Sequence, residues 1–122
     1  MLERRKYPRK TVDLPVTVRL PPGHDQNGRM ADLSLEGMLF LCADKPEINS
    51  EIVLCFTLPL FHFSPDLKIV ANVTRVAETH VTPGTPSKYN YMVGVHFIHL
   101  QENDRAILDK FMERDVASIR LE

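Results

Sequence analysis

Val12-Asp13-Leu14-Pro15-Val16-Thr17-Val18-Arg19-Leu20 is apolar at every even position, the period-2 pattern of a strand with one buried face. Pro15 has no N–H to give to a ladder, so this strand is expected to expose an edge or bulge there. Pro21-Pro22-Gly23 ends it. Downstream, residues 27–33 and 37–42 read as two short strands around a tight polar turn. Residues 51–58 (EIVLCFTL), 67–79 (LKIVANVTRVAET) and 89–100 read as three more, separated by loops carrying Pro59, Pro65, Pro83 and Pro86. Six short strands with hairpin-length connections and no helical crossovers predict an antiparallel barrel.

The last 22 residues change character, because all nine prolines and all five glycines lie before residue 95. Ile107, Leu108, Phe111, Met112, Val116 and Ile119 recur at spacings of one, three and four, which predicts an amphipathic helix over about 102–120 with its apolar stripe docked on the sheet. A partner-binding helix is the alternative use of that stripe. Asn103 is the expected cap, with Asp104 favourable at the positive helix end.

The chain has 122 residues, 43% hydrophobic and 25% charged, which suits one small domain with one core. Its formal net charge is -1, but the charge is divided unevenly. Residues 1–10 carry Arg4, Arg5, Lys6, Arg9 and Lys10 against Glu3, a balance of +4. The other 112 hold ten basic and fifteen acidic residues, a balance of -5. The chain therefore reads as a basic, flexible arm (residues 1–11) on an acidic barrel-and-helix body (residues 12–122).

No run approaches the roughly 18 apolar residues of a membrane span, and no apolar stretch follows the N-terminal charges as a signal peptide requires. A cytoplasmic location is expected. Cys42 and Cys55 lie inside apolar runs and read as small buried hydrophobes rather than a disulfide or metal pair. His96 and His99 fall in the last expected strand at odd spacing, so their rings face opposite sides and do not share a metal. No metal and no cofactor is expected. Catalysis has no support either: Ser34 is not in GxSxG, and neither HExxH nor a P-loop occurs.

Two motifs remain. Arg4-Arg5-Lys6-Tyr7-Pro8-Arg9 contains RxxxR as Arg5 and Arg9, and Asp32-Leu33-Ser34-Leu35-Glu36-Gly37 is DxSxxG. Each alone is a weak signal. The two in this order, about twenty residues apart and flanking a strongly alternating strand, are much more specific. With Gly94-Val95-His96-Phe97 and the closing helix, they make nearly the whole chain resemble the PilZ domain family. The resemblance implies a six-stranded barrel of the split-barrel type with a C-terminal helix, binding the bacterial second messenger cyclic di-GMP on its outside.

The residue types suit that ligand, which carries two phosphates and two guanines. Arginine forks onto phosphate oxygens or the guanine O6/N7 edge and stacks on a base, as a lysine point charge does not. The Asp32 carboxylate repels phosphate but accepts from guanine N1 and N2. Ser34 offers a hydroxyl, and Gly37 permits a positive backbone angle or a close approach. By resemblance, Arg5 and Arg9 are assigned to phosphate and guanine contacts, and Asp32, Ser34 and Gly37 to the wall of the site. An arginine preceding RxxxR is associated in the family with a stacked pair of ligands, and Arg4 holds that place. Tyr91 is a further stacking candidate, or an ordinary surface or core tyrosine. Gly94 and Phe97 read as structural, the glycine where strands crowd and the phenylalanine in the core.

The expected function is a stand-alone receptor that signals to an unidentified partner protein, with no nucleic-acid polymer and no membrane span involved. Competing readings are a protein-interaction module of the same fold that does not use the nucleotide, as in family members that have lost the motifs, and a small nucleic-acid-binding barrel. Against the last, the body is acidic, and Tyr7 is the only aromatic beside a basic cluster. Asp32 and Ser34 also serve a bland purpose, since both types stabilise turns.

Overall fold

The alternating run folds as expected. The structure is a computed structural model that describes residues 8–20, 23–79 and 88–121, with the helix side chains described to Glu113. Strand β1 (Lys10–Leu20) turns at Gly23 (φ 131°) into β2 (His24–Leu33), and the Gly23 amide donates to the Leu20 carbonyl at 2.7 Å. Strand β2 therefore starts three residues before the expected Asn27. Its first residues, His24 and Asp25, are exposed and carry no hydrophobic alternation that would reveal a strand. Strands β3 (Gly37–Cys42), β4 (Glu51–Thr57), β5 (Asp66–Glu78) and β6 (Tyr91–Phe97) follow, then helix α1 (Glu102–Leu121). Every pairing is antiparallel, and the order β1-β2-β3-β6-β5-β4 closes into a barrel.

Inward-facing residues of all six strands fill the interior, among them Val16, Val18, Met30, Leu33, Phe40, Leu54, Ile69, Val73, Val93 and Phe97. The seam that closes the barrel is short. Strand β1 meets β4 only at Thr17–Arg19, so Pro15, paired with Arg29 on β2, lies outside the β4 ladder and breaks no hydrogen bond there. A cleft of about 460 Å³ opens where the seam parts, lined by Pro15, Thr17, Arg29, Cys55, Thr57 and Tyr89 among others.

Helix α1 docks on the barrel: Leu108 and Phe111 belong to the core, and Ile107 and Met112 pack at its margin. The Val116 and Ile119 side chains of the expected stripe lie outside the described residues. The cap is Gln101 rather than Asn103, since the Gln101 carbonyl accepts the first helical bond, from the Arg105 amide at 2.9 Å. Asn103 is one residue inside the first turn, where Glu102 and Asp104 face the positive helix end. The last strand also ends earlier than expected. His99 lies beyond β6 in the left-handed region (φ 53°), so it shares no strand with His96.

Phe97 is in the core, but crowding by strands is not what requires glycine at 94. A Cβ there would meet only the Arg75 side chain, at 3.6–3.7 Å, an ordinary contact. Cys42 is fully buried as expected, whereas Cys55 is only half-buried, facing the seam cleft; both are free thiols.

Candidate functional site: the Asp32 row and the Ser34 turn

Asp32 reaches the outside of the barrel because of a local irregularity. Strand β2 points Met30 inward, and strict alternation would carry residue 32 inward as well. Ala31 is an extra residue between the Met30–Phe40 and Asp32–Leu39 pairs, a β-bulge that turns Asp32 out and Leu33 in. Burying an unpaired carboxylate would cost several kcal/mol, so the bulge is what makes this residue available on the surface.

The next four residues make a closed turn. The Ser34 amide donates to the Gly37 carbonyl at 3.0 Å, and the Ser34 Oγ accepts from the amides of Glu36 and Gly37, each at 3.2 Å. Ser34 is only 1% exposed. Its hydroxyl thus works within the turn, and the turn-stabilising use is the one realised in this arrangement. Gly37 serves by close approach: its φ is not positive, and a Cβ would lie 2.2 Å from the Val95 carbonyl oxygen on β6. The Phe97 amide then bonds the Glu36 carbonyl at 2.8 Å, fastening the turn to the end of β6.

Of the arm, Arg4 and Arg5 lie outside the described residues. Arg9 lies against the turn: its Nη1 is 3.4 and 3.5 Å from the two Asp32 carboxylate oxygens, with the side chains 31% and 19% exposed. The fold has brought together the last residue of RxxxR and the first of DxSxxG. Exposed pairs of this kind contribute about 0–1 kcal/mol, little enough for a ligand to replace. Next to it, Lys10 donates from Nζ to the Phe111 carbonyl at 3.1 Å and sits 3.4 Å above the Phe111 ring, joining the base of the arm to α1.

A second ion pair braces the irregular part of β1. Two residues of β1, Val12 and Asp13, stand opposite the single Ala31. Arg29 Nε donates to Asp13 Oδ1 at 2.5 Å and its Nη2 to the Asp13 carbonyl at 3.2 Å. The hydrogen bond and charge of Arg29 hold the Asp13 carboxyl below its ordinary value.

The exposed surface continues across the barrel from Asp32. The register aligns Thr11 with Asp32, Asp32 with Leu39, Leu39 with Gly94, and Gly94 with Arg75. Tyr91 is not part of this face; it packs against the core from the barrel end. Leu39 and Arg75 are absent from the two motifs, yet the sequence carries a signal for the bulge before each charged residue of the row. Inward positions step by two along β2 (Gly28, Met30) and β5 (Leu67, Ile69, Ala71, Val73), but the next inward apolar residues, Leu33 and Val76, each come three residues later.

These features define a small closed antiparallel barrel with a helix docked on it and a polar site on its exterior, where a basic segment meets an acidic turn. The PilZ domain family model matches residues 3–114, and the chain belongs to that family. Among solved structures it is similar to the Bacillus subtilis inhibitor of motility MotI/DgrA (TM-score 0.75, 18% identity, 95% of this chain and 53% of that one). It is also similar to the PilZ domain of Escherichia coli YcgR solved with c-di-GMP (TM-score 0.74, 16% identity, 98% and 99%) and to the K. pneumoniae MrkH complex with c-di-GMP (0.72, 16%, 98% and 55%). The chain thus spans about half of MotI/DgrA and of MrkH, and nearly all of the isolated YcgR domain. No curated protein sequence matches it. No described helix is long and apolar enough to cross a membrane.

Proposed function

We propose that the protein is a cyclic di-GMP receptor and not an enzyme, taking the ligand between the RxxxR arm and the Asp32–Gly37 turn. The observation that carries this reading is the Arg9–Asp32 contact at 3.4 Å between motifs 23 residues apart. A phosphate site has no use for a carboxylate, whereas a guanine site uses one: Asp32 accepts from N1 and N2 while Arg5 and Arg9 take phosphate oxygens and the O6/N7 edge. Ser34 and Gly37 hold the turn that presents Asp32, and Arg4 adds charge for a second, stacked ligand molecule.

Binding replaces the Arg9–Asp32 pair and orders the arm. Fixing each backbone residue costs on the order of 1–2 kcal/mol, so several arginine contacts are needed to exceed it. The ordered arm connects to α1 through Lys10, and the rearranged arm and helix are the surface that a partner protein would read. Titration calorimetry with cyclic di-GMP, with GTP as control, tests the reading. Saturable binding at micromolar ligand that is lost in Arg9→Ala and Asp32→Ala is expected; no heat at tens of micromolar ligand overturns it.

A further inference from the structure

The outward-facing row Asp32–Leu39–Gly94–Arg75 has a charged residue at each end, and each faces outward because of its own bulge. Along β5, Ala71 and Val73 point inward, and strict alternation would bury residue 75. Thr74 is inserted between the Val73–Val95 and Arg75–Gly94 pairs and turns Arg75 out. The Thr74 hydroxyl holds the irregularity by donating to the Gly94 carbonyl at 3.0 Å. Bulges gather where a side chain must be re-aimed, and here two of them serve opposite ends of one row.

Between these ends the surface is apolar and low. Leu39 is half-buried, and Gly94 has no side chain to rise above the strands. The Arg75 side chain lies across this gap: its Nε and Nη2 would be 3.6 and 3.7 Å from a Cβ placed on Gly94. The guanidinium thus lies over the third strand of the row, about 10 Å from Asp32 at ordinary strand spacing. Among the described residues no hydrogen bond or ion pair holds it, in contrast to Arg9, Arg19 and Arg29, which all have carboxylate partners.

From this placement, and resting on the reading of the site as one for cyclic di-GMP, we infer that Arg75 is a ligand-contacting residue that forms the far wall of the site. One guanine presents its edge to Asp32; the other purine lies on the Leu39–Gly94 floor and stacks on the face of the Arg75 guanidinium. A base suits this floor better than a phosphate does, because a phosphate laid on Leu39 loses water and gains no donor there. Glycine at 94 suits the same use, because a larger side chain would fill the space of the base.

Calorimetric titration of cyclic di-GMP into the wild type, Arg75→Ala, Arg75→Lys and Asp32→Ala tests this, with the thermal midpoint of each ligand-free variant as a check on folding. Arg75→Ala is expected to weaken binding about tenfold with the midpoint unchanged. Arg75→Lys is expected to weaken it similarly, because a compact ammonium keeps the charge and loses the stacking plane. Wild-type affinity in Arg75→Ala, beside a loss in Asp32→Ala, overturns the far wall and leaves the receptor reading standing. Wild-type affinity in Arg75→Lys overturns the stacking contact. A wild type that does not bind overturns both.

Discussion

Asp32, Ser34 and Gly37 stand within six residues of one another, but their substitution is expected to fail in different ways. Asp32 is turned outward by the bulge at Ala31 and its described partner is the outer Arg9, so Asp32→Asn should leave the thermal midpoint nearly unchanged while weakening the ligand, because an amide oxygen is a poorer acceptor for guanine N1 and N2 than a carboxylate. Ser34→Ala should do the reverse. Removing the hydroxyl strips two amides, of Glu36 and Gly37, of their acceptor beside a buried turn, a loss of about 1–3 kcal/mol measurable by urea unfolding. Gly37→Ala drives a methyl to 2.2 Å from a backbone oxygen that belongs to the β3–β6 ladder, so the strands must part. A loss of about 1–3 kcal/mol or more is expected. The two cysteines separate as clearly. Burial, helped by the Asp44 charge, pushes the Cys42 thiol up to about 11, whereas half-buried Cys55 lines the seam cleft. A thiol reagent at pH 8 is expected to label Cys55 in the native protein and Cys42 only after denaturation, with mass spectrometry locating the adduct.

At the scale of elements, the strands are legible because burial writes a period of two into them, and four of the six expected strands agree with the observed ones within two residues at each end. Strand β2 does not, since a hairpin start built from His24 and Asp25 has both faces in water and leaves no pattern. The bulges also escaped a reading that looked for strands as unbroken runs, although steps of three from Met30 to Leu33 and from Val73 to Val76 record them. The bulge in β1 has no such trace, because Val12, Leu14 and Val16 keep their alternation through it. What braces that bulge is the Asp13–Arg29 pair, and it gives a pH signature. The folded-state value of Asp13 is depressed, so its contribution is present above the ordinary carboxylate value near 3.9 and is lost as pH falls through the lower folded value. Asp13→Asn should therefore have a slightly lower thermal midpoint than wild type at neutral pH, and the two curves should converge as acidification passes below the depressed folded-state value of Asp13. A gap that persists at low pH would mean that the aspartate acts through backbone geometry and not through charge. In the candidate site, Arg9 and Asp32 were legible as residue types that answer guanine and phosphate chemistry, whereas their contact depends on a register that only the closed barrel defines.

For the whole molecule, the division of charge and the position of α1 meet at the base of the arm. Lys10 lies between Arg9, which touches the turn, and the Phe111 carbonyl and ring, which belong to the helix and the core. A ligand that removes Arg9 from Asp32 thus acts one residue from the contact between arm and helix. Binding is expected to do two things together. It should raise stability by about 2.7 kcal/mol when free ligand is 100-fold above Kd, if the unfolded chain does not bind, seen as a higher thermal midpoint. It should also slow amide exchange in the arm and around residues 108–112, since the first is ordered and the second is joined to it through Lys10. Lys10→Ala separates the two effects. The Lys10 ammonium bonds the Phe111 carbonyl and covers its ring, so ligand-dependent protection of the arm should survive its loss while protection of the helix disappears. Equal helix protection in Lys10→Ala and wild type would show that α1 takes no part in the response, and the signalling surface would then be the arm alone.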